Sequence, residues 1–111
     1  MMRSRRTDLE DILKLLETCQ KRLRMDPGDL DAWFSKGVAL AKLKEYRQAI
    51  YCFNQVTRIQ MNYPSVWRLK ATVYVLMGEQ RMSRLCKEVA KRLQAQESIN
   101  SFERIPAVRA A

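Results

Sequence analysis

Histidine is absent from the chain. With it goes the commonest general base at neutral pH, so the chemistry of proton transfer loses its usual agent. The three glycines form no phosphate-cradling loop, and the acids near the N-terminus suit a helix start, where negative charge is favoured, better than a catalytic pair. These absences speak against an enzyme and give no reason to expect a cofactor. The three cysteines, Cys19, Cys52 and Cys86, leave an odd thiol and contain no CxxC spacing. A disulfide framework and a zinc site are thereby disfavoured, and the thiols read as small buried hydrophobes.

Long hydrophobic runs are also missing. No apolar stretch approaches the roughly 20 residues needed for a membrane helix. The basic start, Met1 to Arg6, is followed by Asp8, Glu10 and Asp11 instead of an apolar segment, so no signal peptide is expected and the default location is cytoplasmic. Finally, no Phe, Tyr or Trp occurs between Tyr74 and Phe102.

The 111 residues suit a single domain of modest core. An apolar fraction of 47% with 30% charged residues is that of a folded soluble chain. The net charge of +9 is unevenly spread. Residues 8 to 31 hold seven acids, whereas Arg81, Arg84, Lys87, Lys91 and Arg92 face only Glu88 between 81 and 92. Such a balance attracts acidic peptide, nucleic acid or an anionic surface without choosing among them.

Five helices are expected. Thr7 to Glu10 reads as a capping box, and Leu9, Ile12, Leu13, Leu16, Cys19 and Leu23 then recur at helical spacing. Asp26-Pro27-Gly28 breaks that run, and Asp29 is a good N-cap for the next helix, about Leu30 to Leu43. A third helix, about Tyr46 to Met61, follows after so short a connection that the two must lie antiparallel. Pro64 suits the first turn of a fourth helix, and Gly78 ends it in a left-handed conformation. The fifth is expected from about Gln80 to Gln96. Residues 1–6 are then expected as a basic disordered arm and 98–111 as a weakly ordered tail, or as a cap in which Ile99, Phe102 and Ile105 fold back as a lid.

One feature organises the rest: Trp33 and Trp67 stand 34 residues apart, in matching surroundings. Gly37, Leu40, Tyr46, Ala49, Phe53 and Val56 follow the first, and Ala71, Tyr74, Gln80, Ser83, Lys87 and Ala90 follow the second in the same register. Such a period marks helical-repeat architectures, in which one helix pair cannot bury its apolar face alone. On these residues the chain resembles the tetratricopeptide repeat family. The resemblance covers about residues 30–63 and 64–97 as two repeats, preceded by a helix over 7–25. It implies an all-α array of antiparallel helical hairpins in a right-handed solenoid, a single domain over 7–97. The second copy departs from the pattern at Gln80 and Lys87, and Lys44 stands where the family prefers glycine.

By the same resemblance, a peptide or protein partner would lie in a concave, mainly apolar groove. Its residues would be Asp31, Phe34, Val38, Ala41 and Lys42, with Ser65, Arg68, Thr72, Val75 and Leu76. The family's carboxylate clamp for acidic chaperone tails needs Lys and Asn where this chain has Phe34 and Val38, so that specialisation is not expected. The resulting expectation is a non-catalytic interaction module or scaffold. Two alternatives remain beside it. Arg84, Lys87 and Lys91, on one face of the fifth helix, offer an anion-binding stripe for nucleic acid, though without aromatic stacking partners. Incomplete repeats also leave apolar end faces suited to homo-oligomers.

Overall fold

The computed structural model describes residues 5–103. They form five α-helices and, among the described residues, no strand: α1 Arg5–Met25, α2 Leu30–Lys42, α3 Tyr46–Ile59, α4 Pro64–Leu76 and α5 Gln80–Glu103. The chain divides into two compact units, Met1–Met61 and Asn62–Ala111. In the first, α2 packs on both α1 and α3; in the second, α4 packs on α5.

Local signals in the sequence place most of the boundaries. Asp29 caps α2, its carboxylate accepting from the Ala32 amide at 3.1 Å. The same carboxylate takes two hydrogen bonds from the Arg22 guanidinium, at 2.9 and 3.0 Å, so the end of α1 is tied to the start of α2. Trp33 adds a third tie, donating its indole N–H to the Pro27 carbonyl at 2.8 Å. Pro64 opens α4.

Each hairpin turns in the same way. In the first, the Glu45 amide donates to the Leu40 carbonyl at 2.9 Å, and 34 residues later Glu79 donates to Tyr74 at 2.8 Å. The residue before each donor has positive φ, 62° at Lys44 and 79° at Gly78. This is the hydrogen-bonded, left-handed helix ending that normally selects glycine.

Two boundaries differ from expectation. α1 begins at Arg5, so Thr7 lies inside the helix and is not its N-cap. Residues 1–4 of the expected arm lie outside the described residues. α5 does not stop near Gln96 but runs through Ser98 to Glu103, because no proline or glycine interrupts it before Pro106. Ile99 is therefore a helical residue with 52% of its surface exposed, not part of a folded-back lid. Ile105 lies outside the described residues.

The cores follow the repeat. Ala32, Ala39, Ala49, Cys52 and Val56 are buried in the first unit with Cys19 of α1, and Val66, Val73, Ser83, Cys86 and Ala90 are buried at the equivalent places in the second. All three cysteines are free and buried. Burial pushes the Cys52 thiol up to about 11 and raises Cys19 and Cys86 as well. A thiol held neutral in this way packs as a hydrophobe and is a poor nucleophile.

Candidate functional site

In the first hairpin the seam between α2 and α3 is closed. Gly37 has no side chain, and the Phe53 ring lies so close that a Cβ on Gly37 would fall 2.5 Å from its Cε1. Phe53 is 0% exposed, and its ring centroid is 6.2 Å from that of Phe34. Val56 and Thr57 are buried on the following turn, with the Thr57 hydroxyl bonded to the Phe53 and Asn54 carbonyls at 3.3 and 3.2 Å. Val38, half-buried, completes the set.

Adding 34 to Phe34, Gly37, Val38, Phe53, Val56 and Thr57 gives Arg68, Ala71, Thr72, Lys87, Ala90 and Lys91. These six residues line an open cleft of about 320 Å³ in the second unit, between α4 and α5. Its origin is steric. Ala71 places a methyl group where Gly37 leaves room for a ring, and Lys87 has no ring to supply. Ala71 and Ala90 are buried and form an apolar floor, while Arg68, Thr72, Lys87 and Lys91 are exposed around it. Among the described residues, Arg68, Lys87 and Lys91 have no ion pair or side-chain hydrogen bond. The neighbouring acid Glu88 is engaged elsewhere, by Arg92 at 3.3 Å. The Thr72 hydroxyl donates to the Arg68 carbonyl at 3.2 Å, which commits its proton to α4.

The cleft thus unites residues that the sequence assigns to two different surfaces, Arg68 and Thr72 to a peptide groove and Lys87 and Lys91 to an anion stripe. Arg84 is exposed on α5 but does not line it. The signal was present in the repeat: Phe34, Phe53 and Thr57 change to cations one period later, Val38 to Thr72 and Val56 to Ala90. On α4, Ser65, Val75 and Leu76 are exposed without lining the cleft. On α2, Asp31 and Lys42 are exposed and Phe34, Val38 and Ala41 are half-buried. Phe34 is thus partly committed to the core through Phe53, and Lys42 sits with Asp8, Asp11 and Ile12 of α1 around a second small cavity.

The second unit also holds a buried cation on α4. Lys70 is 6% exposed, with its Nζ 3.9 Å from the centroid of the Trp67 ring. Desolvation lowers its pKa, and the nearby Cys86 opposes that effect. Lys36 repeats the arrangement over Trp33 at 5.5 Å. The indole face offers the charge a partner that burial would otherwise deny it.

Among the described residues no helix is long and apolar enough to cross a membrane, and no group of side chains suits a metal ion. No protein-family model and no curated protein sequence matches the chain. Solved structures do. It is similar to MamA MSR-1, with a TM-score of 0.75 and 22% identity over 81% of this chain and 52% of that one. It is similar to MamA AMB-1, with a TM-score of 0.72 and 23% identity over 79% and 48%. A third likeness is to a chain of the CopN-Scc3 complex, with a TM-score of 0.72 and 19% identity over 84% and 59%. The chain therefore spans about half to three-fifths of the length of these proteins. They are helical-repeat proteins of the tetratricopeptide kind, and the fold of this chain is tetratricopeptide-like.

Proposed function

We propose that this chain is a non-catalytic protein-interaction module and that its partner engages the second hairpin at the α4–α5 cleft. One observation carries the reading: the seam that is filled by Phe53 in the first hairpin is left open in the second and ringed by Arg68, Lys87 and Lys91. A recess with a small apolar floor and charged walls is the form of a recognition pocket, at the small end of the usual range. The tetratricopeptide-like fold supports the same reading, because such hairpins present rigid helical faces and need no moving part. The row on α2 (Asp31, Phe34, Val38, Ala41, Lys42) and, on α4, Ser65 and Leu76 take a secondary role, each as a surface of its own unit. Nucleic acid is the weaker candidate, since no aromatic side chain lines the cleft to stack a base.

The test is capture from native lysate by the full chain, with nuclease present throughout. Proteins retained by the wild type are expected to be lost with Arg68→Glu combined with Lys91→Glu, while circular dichroism stays helical. Retention of the same proteins by that variant would overturn the assignment of the cleft.

A further inference from the structure

Resting on the cleft assignment above, we infer that the ligand is an acidic protein segment presenting two carboxylates, one to Arg68 and one to the Lys87–Lys91 pair. Lys87 and Lys91 are four apart on α5, so their Cβ atoms are separated by roughly 6 Å on one face. Arg68 approaches from α4, across the apolar floor of Ala71 and Ala90. Its planar fork suits bidentate pairing with a carboxylate, whereas the two ammonium groups act as mobile point charges.

The need for solvation does not account for this arrangement. A polar end to a repeat array requires only polarity, and a mixed-sign surface supplies it at no electrostatic cost. Here three like charges converge on one recess, none of them is in an ion pair among the described residues, and like charges a turn apart on a helix repel. A ligand bringing negative charge removes that repulsion. Its chemistry is narrowed further by the cleft itself. The apolar floor admits the methylenes of Asp or Glu or a small side chain between them, and no aromatic side chain lines the cleft to stack a nucleobase. Thr72 gives no free proton to a phosphate oxygen, because its hydroxyl is held by the Arg68 carbonyl.

The probe is a fluorescein-labelled helical peptide of repeated Glu-Ala-Ala-Ala units, followed by fluorescence anisotropy with the full chain at about 0.15 M salt, where charges outside the cleft are screened. Its Gln-for-Glu analogue, a labelled oligothymidylate of equal charge and inorganic phosphate as competitor form the other arms. The acidic peptide is expected to bind, the Gln analogue not. Lys87→Gln with Lys91→Gln is expected to weaken binding about tenfold or more, the loss of charge-assisted contacts. Arg47→Gln with Arg58→Gln, on α3, removes the same net charge without touching the cleft lining and is expected to change affinity less than about twofold. Equal losses in both variants would overturn the inference by reducing the effect to net charge. So would oligothymidylate binding as tightly and through the same lysines, or half-competition by phosphate at concentrations comparable to those of the peptide. If the acidic probe fails while Arg68→Glu with Lys91→Glu still abolishes lysate capture, the cleft stands as a partner site and only its ligand chemistry is wrong.

Discussion

The two hairpins share a backbone and differ in what they do with one seam. Both turn through the same left-handed residue and the same amide-to-carbonyl bonds, and both place a lysine over the equivalent tryptophan. In the first, six positions are spent on closing an apolar seam; in the second, the same six make a charged recess. A repeat therefore separates two requirements that a unique fold confounds. What both copies keep is needed for the hairpin itself, and what only one copy keeps serves a purpose of its own.

The sharpest way to break the comparison is to truncate the same position in each copy. Phe53 is fully buried, so Phe53→Ala leaves a cavity and is expected to cost about 3–5 kcal/mol. Lys87 is exposed, and Lys87→Ala is expected to change stability by less than about 0.5 kcal/mol. Urea unfolding followed by circular dichroism measures both. Similar costs would show that Lys87 is part of the core after all, and the open seam would be a misreading.

Much of this was legible beforehand, for identifiable reasons. The period, the Asp29 cap, the Pro64 start and the left-handed Gly78 are local signals, each set by one residue's own stereochemistry. The end of α5 was missed because fading amphipathicity does not stop a helix. A breaker does, and the first is Pro106. The cleft was missed for a different reason. Helical periodicity gives the face of each helix separately, and it put Arg68 and Lys87 on unrelated surfaces; only packing of α4 on α5 brings them to one recess. Lys70 shows the same limit, since a lysine on the core side of a helix is tolerated only when the aromatic face it needs is known to be within reach.

Alkaline pH should separate the hairpins next. The unfolded Cys52 thiol titrates near 9.0, but in the folded chain burial holds it to about 11. Between those values the unfolded chain has lost a proton that the native chain keeps. The contribution is fully present below pH 9 and lost as pH rises through about 11, a fall of about 2–3 kcal/mol at 1.36 kcal/mol per unit. In the second hairpin burial also raises Cys86, but Lys70 has the opposite sign. Its folded pKa is lowered from 10.5, so the unfolded chain holds the extra proton and stability rises with pH towards that value. Unfolding at pH 8 and pH 11 should therefore show Cys52→Ala flattening the alkaline loss more than Cys86→Ala does. Equal flattening would mean that burial raises the two thiols equally.

The smallest effect sits at the turns, where the two copies differ by one residue in an otherwise common geometry. Lys44 has a φ of 62°, in a region where a side chain crowds its own backbone, while Gly78 at 79° has no such strain. A Cβ at Gly78 would meet nothing within 4 Å, so exchange there probes backbone strain alone. That strain is about 1–2 kcal/mol for a residue with a Cβ, and glycine gives back roughly 0.4–1 kcal/mol through its freer unfolded chain. Lys44→Gly should accordingly stabilise by less than about 1 kcal/mol, and Gly78→Lys should destabilise by a similar amount. Because the flanking hydrogen bonds are the same, the two changes should be near mirror images in thermal unfolding. A Lys44→Gly variant less stable than wild type would show that the Lys44 side chain makes a contact worth more than its strain, and the turns would then differ in energy as well as in sequence.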